Sequence, residues 1–471
     1  MIRWIISGII IFILGFTHSA MGQAFNASEF ETFIEETMDA SNIPGLAVII
    51  FDSDDTVYEK AFGIAGPDKR AVTLDTPFQL GSVSKSFAAL VMVQLAAEGQ
   101  IDLDAPVITY LPDFHTRDTQ DWNNITIRHI LSHRSGFSTF DGNLKQGDIY
   151  RSTDALDIAI RDLGKAKLAF KPGQQLEYSN ANYMLAAAVI EAVTETSYET
   201  VMDERVFQAL GMRNSYVQIP LRKTVKEATG FRQWFGRPVA YPFIPGRSMM
   251  AAGGVTASAN DLAIYIKAVA DKDPRIIPAS LAKQLITSQG AMNASVGYGL
   301  GWMTEVISSQ SLIYHPGLNS GFSAQAAFFP DGSGGGLVLV NQSGGLQADV
   351  PGAVLRQGLG LDPLPSRPTT GQHLTVWGLL ATVIILALSF IFSTIRFSAY
   401  AKRADRVNLL RRLLPSLALF ALAYGLSVII PRTQGVNLIG IKGFNPDIWL
   451  CLTVSAAIAI IWGLTRLAYP R

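Results

Sequence analysis

Apolar residues fall into three patterns along this chain, each marking a different kind of element. In "GLAVIIFDSDD" (45–55) and "VYEKAFGIAG" (57–66), β-branched and aromatic runs flank an Asp-rich break, which predicts a hairpin. "SAQAAFFPDGSGGGLVLVNQ" (323–342) predicts a second hairpin around a glycine-rich turn. Helices are predicted over 28–41 and over "ADVPGAVLRQGL" (348–359). "SVSKSFAALVMVQLAA" (82–97) and "NANYMLAAAVIEAV" (180–193) are apolar nearly all round, so both should be buried helices. "ITIRHILSH" (125–133) reads as a short helix with Thr126 as its N-cap. Strands at both ends with helices between predict an α+β fold: one antiparallel sheet shared by the terminal strands and flanked by helices, with a helical lobe inserted.

The third pattern is uncharged length. Leu374–Ile395, Leu413–Ile430 and Ile448–Thr465 carry no charge, and each has the ~17–25 residues that span a bilayer. The connection Ser393–Arg412 holds Arg396, Lys402, Arg403, Arg406, Arg411 and Arg412 against Asp405, whereas Pro431–Asp447 has only Arg432 and Lys442 as cations. The positive-inside rule puts the first connection in the cytoplasm and the second outside. At the N-terminus, Arg3 precedes an uncharged run from Trp4 to Phe16, with small residues Gly22 and Ala24 beyond, a signal-peptide pattern. The expected organisation is a signal peptide over 1–24, an exported domain over 25–361, a Pro-rich connector over 362–373 and a three-helix membrane anchor over 374–471. The exported domain should sit on the outer, periplasmic or extracellular, face of the cytoplasmic membrane, held to lipid by the anchor.

Composition agrees. Charged residues are 16% of 471, against roughly a quarter in ordinary soluble domains. Lys plus Arg and Asp plus Glu are 38 each, which argues against a nucleic-acid partner. Cys451 stands alone, so no internal disulfide and no cysteine-built zinc site can form.

Three segments carry candidate chemistry. Ser82 and Lys85 lie three apart at a helix start, on one face, where free N–H groups favour developing negative charge. A serine hydroxyl needs a neighbouring base, and burial would lower the Lys85 pKa. Taken alone, the pair also fits a capping serine beside a solvated lysine. In "LEYSNANY", Tyr178 would work as a base only with its pKa lowered by roughly three units, to which a Lys85 cation would contribute; Asn180 is placed to bond Lys85 and a substrate carbonyl. In "YHPGLNSGF", Pro316 predicts an edge strand and Gly317 a close backbone approach, so His315–Leu318 would receive an extended substrate. His129 and His133, four apart on the short helix, lack a Glu beside them and a third ligand, which favours structural roles over a metal site.

Together, "SVSK" at 82–85, "YSN" at 178–180 and "HPG" at 315–317 resemble the penicillin-recognising serine hydrolases (β-lactamase/transpeptidase-like fold), most of all the class C β-lactamase, D-aminopeptidase and esterase-like branch. "IPGLAVII", "ITIRHILSHRSGF", "AAGGVTASANDLA" and "GYGLGW" add to the likeness, which covers roughly residues 28–360. The resemblance implies that Ser82 forms an acyl-enzyme on a small peptide, amide or ester, with Lys85 and Tyr178 sharing the proton handling. It implies that Asn180 orients substrate, that His315 and Gly317 belong to the substrate strand, and that the N–H groups of Ser82 and Leu318 form an oxyanion hole. No metal or organic cofactor is implied. Many relatives carry lysine where His315 stands, so recognition of a substrate carboxylate is expected to be weaker here. Export followed by three C-terminal spans also resembles peptidases that remove an N-acyl-D-amino-acid cap. The alternatives are a β-lactamase or D-Ala-D-Ala carboxypeptidase, and a non-catalytic penicillin-type ligand sensor that acylates without deacylating.

Overall fold

A computed structural model describes residues 25–53, 55–114, 119–144, 152–218, 224–277, 279–307, 309–344, 349–364, 369–401 and 409–468. The segment read as a signal peptide lies outside them. Helix α1 (Ala27–Ser41) is started by Asn26, whose side chain accepts from Glu29 N. The hairpin β1 (Gly45–Asp52) and β2 (Thr56–Gly63) follows. The helical lobe then contributes α2 (Ser84–Ala97), α3 (Ile127–Leu131) and α4 (Ala181–Thr194). The chain returns through β3 (Gly290–Ala291), β4 (Val296–Tyr298), β5 (Met303–Ile307), β6 (Gln310–Asn319), β7 (Phe322–Phe328) and β8 (Gly334–Val340), then α5 (Val350–Gly358). The eight strands form one antiparallel sheet in the order 2-1-8-7-6-5-4-3. The first strand meets the last, Leu46 opposite Val340 through Asp52 opposite Gly334, as the α+β reading expects.

The sheet is buried on both faces, and the period of two in β1 divides its residues. Ala47, Ile49 and Phe51 pack with the lobe helices. Leu46, Val48 and Ile50 pack with Phe30 and Ile34 of α1 and with Val354 and Leu355 of α5. Each buried Leu, Ile, Val or Phe among them contributes about 1.5–3 kcal/mol by leaving water. That is why β1 reads as an unbroken apolar run rather than an alternating one.

Helix α2 is buried from Ser84 to Leu95. Its start is fixed by polar side chains: Ser84 Oγ accepts from Val255 N at 3.0 Å, and Ser86 Oγ donates to Val83 O at 2.8 Å while accepting from Tyr265 OH at 3.0 Å. Phe87 stacks on Tyr265 with ring centroids 3.7 Å apart. Thr126 caps α3 as expected, its Oγ1 accepting from His129 N.

One expectation is corrected. The strand bearing "HPG", β6, is interior to the sheet order, not an edge. Its pairing with β5 ends at Tyr314 opposite Met303, however, while pairing with β7 continues to Asn319 opposite Phe322. The stretch from His315 to Asn319 therefore has no neighbour on the β5 side, because β5 is short.

Beyond residue 368 come α6 (Thr369–Ala401), α7 (Leu409–Tyr424), α8 (Leu438–Phe444) and α9 (Pro446–Ala468). Leu374–Arg396, Arg412–Thr433 and Pro446–Ala468 are long and apolar enough to cross a membrane. Small residues bring α7 and α9 together: Ala423, Ala456 and Ala459 form a buried cluster, and Ser416 Oγ donates to Gly463 O at 3.0 Å.

Candidate active site

The site forms where α2 begins, between the sheet and the lobe. Ser82 lies in a 3₁₀ turn, Gly81–Val83, that runs into α2. Two glycines let this turn touch β6. A Cβ on Gly317 would lie 1.9 Å from Leu80 O; one on Gly81, whose φ is +53°, would lie 2.4 Å from Leu318 N. Neither position tolerates a side chain, so the backbone of Leu318 sits against the residue preceding Ser82.

Lys85 is fully buried. Its Nζ is 3.0 Å from Ser82 Oγ, 2.8 Å from Asn180 Oδ1 and 2.7 Å from Ala252 O. Burial pushes its pKa well below the usual ammonium value. A neutral amine has two N–H bonds and one lone pair. Asn180 Oδ1 and the Ala252 carbonyl can only accept, so they take the two hydrogens and leave the lone pair for the Ser82 hydroxyl.

Tyr178 closes the other side. Lys85 Nζ lies 4.9 Å from the centre of the Tyr178 ring, and the Ser82 side chain is close enough to act on the Tyr178 hydroxyl. The expected lowering of the Tyr178 pKa does not occur. Burial raises it, and the Ser82 side chain offsets this only in part. The burial that lowers the Lys85 pKa also raises that of Tyr178, so both groups are pushed towards their uncharged forms.

His315 is fully buried. Its Nδ1 is 2.7 Å from Pro316 O and its Nε2 3.0 Å from Tyr298 OH. A carbonyl only accepts, so Nδ1 carries the proton and Nε2 accepts from the tyrosine. Burial is the main cause that lowers its pKa to about 3, against the backbone bond to Pro316. The imidazole is neutral at physiological pH.

Asn143 escaped the sequence reading, while His133 has the structural role expected of it. His133 is fully buried against Tyr178, ring centroids 4.2 Å apart. Its Nδ1 accepts from Ser179 N at 3.2 Å and lies 3.0 Å from Asn182 Nδ2, so it fastens the "YSN" turn from behind. Asn143 accepts from Asn180 Nδ2 at 2.8 Å and so fixes the amide orientation that points Oδ1 at Lys85. Asn143 lies in no segment that carried a periodic or motif signal, and the segment "ITIRHILSHRSGF" holding His133 did not show which residues it would bond. Among the described residues, no cluster of His, Cys, Asp and Glu forms a metal site.

An antiparallel sheet with an inserted helical lobe, and a serine–lysine pair at their junction, defines the β-lactamase/transpeptidase-like class of fold. A family model described as Beta-lactamase matches residues 30–359, and the chain belongs to that family. It is 28% identical over 318 residues to the unguisins hydrolase ungD' of Aspergillus campestris (strain IBT 28561), covering 64% of this chain and 59% of that protein. The chain therefore spans about three fifths of that relative's length. The octameric penicillin-binding protein homologue from Pyrococcus abyssi superimposes with a TM-score of 0.63 at 28% identity, over 72% of this chain and 78% of the other. A D-stereospecific amidohydrolase from Streptomyces sp. shares the fold at TM-score 0.59 and 24% identity, over 69% and 97%.

Proposed function

We propose that the protein is a membrane-anchored serine hydrolase on the outer face of the cytoplasmic membrane, cleaving peptides or related amides and esters through an acyl-enzyme on Ser82. The observation that carries this reading is the buried Lys85 amine, 3.0 Å from Ser82 Oγ with its two hydrogens taken by Asn180 and Ala252. Ser82 Oγ attacks the carbonyl carbon while its proton passes to the Lys85 lone pair. The oxyanion is stabilised by the N–H groups of Ser82 and Leu318. The proton then travels through the Tyr178 hydroxyl to the leaving amine or alkoxide as the C–N or C–O bond breaks. Water attacks the Ser82 ester, gives its proton to the same pair, and Ser82 recovers its hydrogen as the acid departs. Both steps need a neutral amine, which burial of Lys85 supplies without a phenolate.

A neutral His315 offers no cation to a substrate carboxylate, which favours D-aminoacyl amides and short esters over β-lactams and C-terminal D-Ala peptides. The likeness to a named hydrolase supports the reaction class. Turnover of a D-aminoacyl p-nitroanilide or a short p-nitrophenyl ester should be at least about 10³-fold lower in Ser82→Ala than in wild type. Equal turnover by both proteins would remove Ser82 from the reaction.

A further inference from the structure

The segment joining the second and third apolar helices makes direct contacts with the catalytic domain. Residues 431–447 lie on the catalytic domain. Arg232 Nη1 donates to Lys442 O at 2.8 Å and Gly443 O at 3.0 Å, Phe235 N donates to Asp447 Oδ2 at 3.1 Å, and the Arg432 guanidinium sits 4.8 Å from the centre of the Phe140 ring. Asn143 Nδ2 donates to Gly435 O at 2.9 Å. Because Asn143 also accepts from Asn180, and Asn180 from Lys85, one hydrogen-bonded line runs from the catalytic amine to the anchor.

The same segment reaches the nucleophile. Phe444, the last residue of α8, lines the cavity at Ser82 together with Asn180, Phe243, Leu318 and Asn319. That cavity is about 20 Å³, room for one water. The space beside Ser82 is tight for an acyl group and its leaving group, so the residues lining it set what is admitted. Phe444 is the lining residue held by a short helix outside the family-matched region, fastened mainly through backbone carbonyls that can be released without breaking a core.

Resting on the hydrolase reading above, we propose that the connection between α7 and α9 is one wall of the substrate site and that Phe444 sets the size of the group admitted beside Ser82. Substrate entry then requires α8 to lift, and the ring determines how large an acyl group is accommodated when it returns.

Two measurements on the full-length protein in detergent test this. The first is kcat/KM for p-nitrophenyl acetate and octanoate, with Ser82 labelling by a fluorophosphonate as a control for an intact nucleophile. Phe444→Ala should raise the octanoate-to-acetate ratio about tenfold, the scale of one apolar contact in a specificity pocket, and Phe444→Trp should lower it. The second uses Ser320→Cys with Gly443→Cys. A Cβ on Gly443 would lie 3.1 Å from Ser320 Oγ, close enough for a disulfide to hold α8 down. With that bond formed, labelling of Ser82 should slow about tenfold or more and recover on reduction. Unchanged ratios in both Phe444 variants, or equal labelling of oxidised and reduced protein with the disulfide confirmed by mass, would overturn the proposal while Ser82 still labels. A wild type that never labels would instead bring down the hydrolase reading, and this inference with it.

Discussion

Lys85 shows how one buried group sets the chemistry of its neighbours. Nothing in the ladder of α2 needs a lysine there, and a charged one would lose its hydration inside the core. A lowered pKa reduces that cost and would make the amine a base. The same environment raises the Tyr178 pKa, so in the proposed mechanism one group accepts a proton and the other relays it. His315 is held neutral by the same burial. Its folded pKa, about 3, lies below the ~6.5 of an unfolded imidazole. Between those values the unfolded chain takes up a proton that the folded chain refuses. His315 therefore contributes stability that is present above pH 6.5 and lost as pH falls towards 3. The melting temperature of wild type should drop more steeply over that interval than that of His315→Gln. Affinity for a carboxylate-bearing substrate, relative to its amide-capped form, should stay flat from pH 8 to 5. A rise in that affinity near pH 6.5 would show a titrating, exposed imidazole.

At the scale of elements, the site is a meeting of the α2 start, the "YSN" turn before α4 and the end of β6. Gly317 decides whether the first and third meet. Gly317→Ala would place a methyl 1.9 Å from Leu80 O, forcing β6 away from Ser82. Displacement of the oxyanion donor by about 1 Å costs on the order of 10²-fold in rate; kcat for the ester should fall by that much while circular dichroism is retained. An active Gly317→Ala enzyme would mean that Leu318 N is not a donor. These elements were legible in the sequence because their signals are local: a serine and a lysine on one helix turn, a Pro–Gly pair in a strand, a Thr cap on α3. The bonds of His133 and Asn143 were not legible, because these residues reach the site through tertiary packing, 46 and 37 positions from the residues they bond. The mistaken edge assignment for β6 has a similar origin. Pro316 reports a missing partner at one position, but not that β5 supplies one a few residues earlier.

At the scale of the molecule, the anchor and the catalytic domain are linked by the 431–447 connection, which lies against the catalytic domain. The Lys/Arg count independently assigns that connection to the outer side. Both observations support α6 entering the membrane from outside, α7 returning and α9 leaving the C-terminus in the cytoplasm. A reporter active only outside the cytoplasm, fused after residue 471, should be silent, and a cytoplasmic fluorescent reporter there should be bright; the reverse pattern would contradict this topology. The length and lack of charge of the three spans were readable from composition. Their connection reaching Ser82 was not, because "LIGIKGF" carries no motif and its role depends on where Arg232 and Asn143 stand.

The central claim is that Ser82 is a nucleophile activated by the neutral Lys85 amine. The most direct measurement is fluorophosphonate labelling of the full-length protein followed by peptide mapping. The adduct should map to Ser82, vanish in Ser82→Ala, and form at a rate that falls as acid protonates Lys85 and falls about 10²-fold or more in Lys85→Met. An adduct on another residue, or labelling at Ser82 that is indifferent to Lys85, would contradict it.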